Sequence, residues 1–198
     1  MLALSAATLV MIAACAPPEG AAPAPDSYAA DRARIENLQA RYLFAMDFRD
    51  AQSYAATFTE DGVLDYGAGQ LKGRQAIHDM VAGFRERAAT LQPGEGPPKG
   101  RHSITSMVID VQGDRATSVA YWFLMGNDNP ERKTQLESFG HYEDELVKID
   151  GQWLFSLRKI YNEEVPAWSW TSDGNPAVAP GAGPGRSAPA PAQMERQL

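Results

Sequence analysis

The sequence predicts an α+β domain in which three N-terminal helices pack on a curved, mainly antiparallel sheet. Two patterns predict it. Apolar residues recur at helical spacing in the first half, as at Ile35, Leu38, Tyr42, Ala45 and Met46. Four long runs of strand character follow, separated by turn residues, and Asp150-Gly151 between two apolar runs is a strong hairpin signal. Helices first and an antiparallel meander afterwards is the α+β order.

The elements follow in turn. Asp31 to Phe48 reads as a long amphipathic helix, and Ala51 to Phe58 as a short one anchored by Phe58. Gly62 to Tyr66 is a brief strand. Arg74 to Ala88 is the third helix, with Ile77, Val81, Phe84 and Ala88 on one face. Leu91 to Gly100, rich in proline and glycine, is a loop. Arg101–Val111, Ala116–Gly126, Thr134–Ile149 and Gln152–Asn162 are the long strands. Strict alternation would put His102, Ile104, Ser106 and Val108 on one face, and Arg158 with Leu154, Ser156 and Ile160. Helices covering one face of a curved sheet leave a pocket between the layers.

With 198 residues, 44% of them hydrophobic, the chain can bury one medium core. A net charge of −7 without a basic stripe argues against nucleic acid as a partner. The one cysteine, Cys15, excludes an intramolecular disulfide and a thiolate metal cluster. Residues 2–14 are apolar and too short to span a bilayer as a mature helix. They lead into Ile12-Ala13-Ala14-Cys15, which resembles the bacterial lipobox, although no Lys or Arg precedes the apolar run. That resemblance implies acylation of Cys15 and a membrane-anchored periplasmic lipoprotein, or otherwise a secreted protein. The expected organisation is a signal segment over 1–15, a Pro/Ala-rich linker over 16–28, a domain over 29–165 and a disordered tail over 166–198. Trp168 and Trp170, just past the last strand, are placed to fold back over the domain.

Asp47 is the most informative residue. It lies in an otherwise apolar stretch, with Leu43 and Phe44 four and three residues before it. A carboxylate there costs several kcal/mol unless it is paired or wetted. His102 and Arg158, on two of the long strands, are candidate partners. Arg158 could instead pair with Glu143 or Asp144 on the neighbouring strand.

Several stretches together resemble the SnoaL-like branch of the nuclear transport factor 2-like cone folds. They are Arg41-Tyr42 through Asp47 to Asp50, Phe58-Thr59-Glu60-Asp61-Gly62, Gly73-Arg74-Gln75-Ala76-Ile77, and Arg101-His102-Ser103-Ile104-Thr105. Gly140-His141-Tyr142-Glu143-Asp144, and Asp150-Gly151-Gln152-Trp153 with Arg158, complete the set. That branch includes scytalone dehydratase and hexachlorocyclohexane dehydrochlorinase. The resemblance implies that Asp47 and His102 form an acid–imidazole base for an elimination. It implies that Arg158 polarises the substrate or leaving group, and that Tyr42 faces the pocket. It also implies a homodimer or higher homo-oligomer, with a partner subunit on the convex face. Ser106 stands where many relatives carry Asn, which alters the expected cavity polarity.

A base working near neutral pH suits a histidine, and a carboxylate on its second nitrogen fixes the tautomer. His141, Tyr54, Tyr66 and Trp122 are further candidates for lining the pocket. Three histidines without close carboxylate spacing give no metal motif, and the chemistry needs no cofactor. The expected activity is that of a cofactor-independent lyase or isomerase on a small cyclic or aromatic substrate. The alternative is a non-catalytic, lipid-anchored module that binds a small hydrophobic ligand or dimerises.

Overall fold

A computed structural model describes residues 27–67, 69–91, 99–164 and 175–177. The segment expected as signal, with Cys15, residues 16–26 of the expected linker and the two tail tryptophans lie outside the described residues, while Ser27 and Tyr28, expected at the end of the linker, instead cap and open the first helix. The elements are α1 (Tyr28–Asp47), α2 (Ala51–Ala55), β1 (Phe58–Asp65), β2 (Gln70–Lys72), α3 (Arg74–Leu91), β3 (Gly100–Gln112), β4 (Arg115–Gly126), β5 (Gln135–Ile149) and β6 (Gln152–Asn162). The strands form one curved sheet in the order β2-β1-β6-β5-β4-β3. Every pairing is antiparallel except that of β1 with β6.

Helix α1 starts where Ser27 accepts a hydrogen bond from the Ala30 N–H, a side-chain N-cap. It ends beyond Asp47, where Arg49 turns into the left-handed region at φ 53°. Asp50 then caps α2 by accepting from the Ser53 N–H at 3.0 Å. Hydrogen bonds from Ser53, through its side chain first and its backbone second, hold the Asp50 carboxyl below the usual carboxylate range. The second helix is shorter than its sequence suggests. Phe58 opens a strand instead of closing a helix, because its backbone is taken up by pairing opposite Phe155. The brief strand expected from Gly62 therefore starts at Phe58, and β2 adds a short hairpin arm that the sequence pattern does not reveal.

Two bulges reset the faces of the sheet. On β3 the register passes from Thr105 opposite Tyr121 to Val108 opposite Val119, three residues against two, with Ser106 at φ 54°. Strict alternation fails there: Val108 is exposed and Ile109 is buried on the helix-covered side with His102 and Ile104. On β6 the register passes from Leu157 opposite Glu145 to Phe155 opposite Leu146, and Ser156 is the extra residue. Trp153 and Phe155 thus share the inner face with Arg158, not the opposite one.

The core lies between α1, α2 and this inner face. Ile35, Leu38, Tyr42 and Ala45 from α1 are all buried, as are Ile77 and Val81 from α3. The Tyr42 ring packs against Tyr54, Phe58, Phe155 and Tyr142, with centroids 4.5 to 6.2 Å away. Gly140 on β5 is required by close approach: a Cβ there would lie 1.8 Å from the Tyr161 carbonyl oxygen. Asp150 and Gly151, at φ 49° and 76°, make the tight β5–β6 turn. The outer face leaves Tyr121, Met125, Leu136 and Phe139 exposed.

Candidate active site

The last residue of α1 and the start of β3 meet at one end of the sheet. Asp47 Oδ1 lies 2.6 Å from His102 Nδ1. The His102 backbone N–H also donates to both carboxylate oxygens, at 3.2 and 3.0 Å. The Asp47 side chain is 6% exposed and that of His102 22%. A carboxylate removed from water is costly, and here a ring nitrogen and a backbone donor offset the cost. The double hold on one histidine also fixes its backbone against the helix end, so the ring has little freedom to swing away.

Trp122 backs the dyad. Its ring lies 6.1 Å from the His102 ring and stacks on Tyr142 at 5.8 Å. The indole N–H donates to the Tyr161 carbonyl at 3.1 Å. Gly140, in register between Trp122 and Asn162, leaves space for the indole to cross.

Deeper in the core, Arg158 is fully buried and its Nε and one terminal nitrogen donate to the two oxygens of Asp144, each at 2.8 Å. The same nitrogen donates to Gln39 Oε1. Gln39 Nε2 and Ser118 Oγ donate to Asp144 Oδ2, at 2.7 and 2.8 Å. Three rings, those of Tyr42, Tyr142 and Phe155, lie 4.1 Å from the guanidinium carbon. Burial opposes the Arg158 charge, but Asp144 more than restores it, so the guanidinium stays protonated. The other terminal nitrogen, Nη1, is buried with no hydrogen-bond partner among the described residues. Gln39, in the buried stripe of α1, and Ser118 are the members that sequence reasoning missed. The signal was a glutamine at a core position of the helix pattern.

The other sequence candidates are dispersed. Tyr42 and Tyr54 are core residues whose hydroxyls bond to each other at 2.6 Å, Tyr54 donating. Burial raises both above the ordinary tyrosine range, so neither ionises near neutral pH. Tyr66, partly buried against the core, follows β1 at the same end of the sheet as the dyad. His141 faces the other side of the sheet, because its neighbour Tyr142 points inward. Its ring stacks on Tyr161 at 4.3 Å, with Nδ1 3.1 Å from Glu163 and Nε2 3.8 Å from Glu143. It shares no chamber with His102. Among the described residues, no group of three His, Cys, Asp or Glu side chains is placed to hold a metal ion.

A curved six-stranded sheet backed by helices defines a class of small α+β domains to which the chain belongs. Residues 27–159 match the SnoaL-like domain, and the chain belongs to that family, within the nuclear transport factor 2-like, cystatin-like folds. No curated protein matches it. Among solved structures it resembles a variant of Rv3472, a protein of unknown function from Mycobacterium tuberculosis. The identity is 26%, over 72% of this chain and 78% of that one, with a TM-score of 0.59. A candidate scytalone dehydratase from Novosphingobium aromaticivorans is 25% identical over 67% of this chain and 83% of its own, with a TM-score of 0.55. A protein from Catenulispora acidiphila, solved in complex with S-DNPA, is 27% identical over 69% and 96%, with a TM-score of 0.58.

Proposed function

We propose that this protein is a cofactor-independent lyase or isomerase that abstracts a proton from a small cyclic or aromatic substrate. The contact that carries the reading is the 2.6 Å approach of Asp47 Oδ1 to His102 Nδ1. With Nδ1–H given to Asp47, Nε2 is the ring's basic nitrogen. It takes a proton from a carbon next to an electron-withdrawing group. The released electron pair then either expels a leaving group, completing an elimination, or is reprotonated at another carbon, completing an isomerisation. Asp47 stabilises the imidazolium formed in that step, a positioning role that an aspartate also plays in serine-protease triads. A base so held is worth about 10²–10⁴ in rate. Trp122 provides a flat apolar wall beside the ring, suited to a cyclic substrate. The likeness to a candidate scytalone dehydratase supports the same class of reaction.

The roles implied for Arg158 and His141 fit this reading poorly. Arg158 gives Nε and one terminal nitrogen to Asp144 deep in the core, and His141 is on the far face. Arg158 acts in our reading as the pillar of the inner core, and Tyr42 and Tyr54 as packing beneath it.

The second reading is a non-catalytic, lipid-anchored module. It is favoured by the rings of Tyr42, Tyr54, Phe58, Tyr142 and Phe155, which fill the interior behind the dyad. In either reading Cys15 carries a lipid anchor on the periplasmic side of a membrane, on the strength of its lipobox-like string. The exposed Tyr121, Met125, Leu136 and Phe139 support a second copy on the outer face.

Deuterium exchange into a panel of cyclic ketones and enones, followed by NMR, tests the choice. Exchange by the native protein that disappears in His102→Ala supports the enzyme. Equal exchange in both proteins, or none in either, supports the module.

A further inference from the structure

At the end of the sheet opposite the dyad, a half-open cavity of about 640 Å³ lies between α1, α2 and the start of β6. Arg34, Asn37 and Arg41 line it from α1, Ser53 from α2, and Gln152 and Trp153 from β6. None of the described residues that line it is acidic, in a chain whose net charge is −7.

The cavity rests on a built frame. Asp31, 4% exposed, accepts from the Trp153 indole N–H at 2.9 Å and from the Lys148 ammonium at 2.9 Å. It also accepts from Arg34 at 3.4 Å. One carboxylate therefore holds an indole and two cations in place, and Arg41 adds a third cation seven residues along the helix. Seven residues place the two arginine Cα atoms about 10 Å apart on one side of α1. Leu38 and Leu154 add apolar lining between polar groups.

We propose that this cavity is a second ligand site, separate from the Asp47–His102 dyad, and that it takes a small organic anion with an apolar body, of the aromatic carboxylate class. Guanidinium groups bind carboxylates through charge-assisted, often bidentate hydrogen bonds. A concave basic spot on an acidic protein concentrates field lines that draw anions to it. Ala56 and the partly exposed Leu154 offer the apolar body a surface, with the buried Leu38 and Trp153 behind it, and Asn37, Ser53 and Gln152 can bond the remaining carboxylate lone pairs.

The test uses 2-naphthoate as probe and the Trp153 indole N–H resonance as reporter, assigned with Trp153→Phe. The expected result is a saturable shift in the native protein. Binding should weaken about tenfold or more in Arg34→Gln/Arg41→Gln, and for neutral 2-naphthamide on the native protein, the factor that one lost charge-assisted bond gives. Arg41→Gln alone, which leaves the Asp31 contacts intact, should weaken it as well. His102→Ala should shift and saturate as the native protein does. Absence of a saturable shift up to millimolar probe, equal affinity for the amide, full affinity in the arginine variants, or loss of the shift in His102→Ala would each overturn the proposal.

Discussion

Asp47 bonds the same histidine twice, through the ring nitrogen Nδ1 of His102 at 2.6 Å and through its backbone N–H at 3.0 and 3.2 Å. The two contacts respond differently to mutation. Asp47→Asn keeps the shape but presents an amide that no longer stabilises an imidazolium. Exchange or turnover should fall about 10²–10⁴-fold with little change in melting temperature. Asp47→Ala also removes the acceptor of the part-buried His102 backbone N–H, which should cost about 1 kcal/mol more. Chemical denaturation of both variants beside the exchange assay checks the split. A pair of variants equal in stability would show that the backbone contact contributes nothing.

The Arg158–Asp144 pair should behave as a buried ion pair does. Removing one partner strands the other charge in the core, so Asp144→Ala and Arg158→Met should each cost about 3–5 kcal/mol. The double variant Arg158→Met/Asp144→Leu should recover much of that loss. Urea unfolding of the three proteins measures it. Additive losses would mean that the two groups are not coupled.

His141 makes stability depend on pH. Burial pulls its pKa down, but the carboxylates of Glu143 and Glu163 beside the ring outweigh this, so the net shift is upward from the ordinary histidine value. A group whose folded pKa is raised stabilises the fold fully below its unfolded pKa, about 6.5. That contribution fades as pH rises through the higher folded value. The stability gap between the native protein and His141→Gln should therefore be largest below about pH 6.5 and should close toward alkaline pH. A gap that does not change with pH would assign the effect to stacking on Tyr161 alone.

Cys15→Ser should abolish incorporation of a radiolabelled fatty acid in a bacterial host. Equal label in both proteins would refute acylation at this position.

Much of the scaffold is legible in the residues because periodicity is a local property. The spacing of Ile35, Leu38, Tyr42 and Ala45 announces α1, and Asp150-Gly151 announces the β5–β6 turn. Asp47 announces itself as a charge in an apolar stretch. Its pairing with His102 is suggested by resemblance to a family and by nothing in the spacing of the two residues, which stand 55 positions apart. The partner of Arg158 was open between two adjacent carboxylates. Register decides it: Asp144 stands opposite Arg158 and faces inward, while Glu143 stands opposite Lys159.

By itself the chain determined its two long helices, its four long strands and the Asp150-Gly151 turn, because each is written in local turn chemistry and in repeats of two or three to four residues. The tertiary structure alone decided which side chains of β3 and β6 face the core. One inserted residue at Ser106 and another at Ser156 reverse the sides that alternation assigns, and an insertion exists only relative to a neighbouring strand. It likewise decided that His141 and His102 stand on opposite faces, and that Asp31 gathers Trp153, Lys148 and Arg34 from distant parts of the chain.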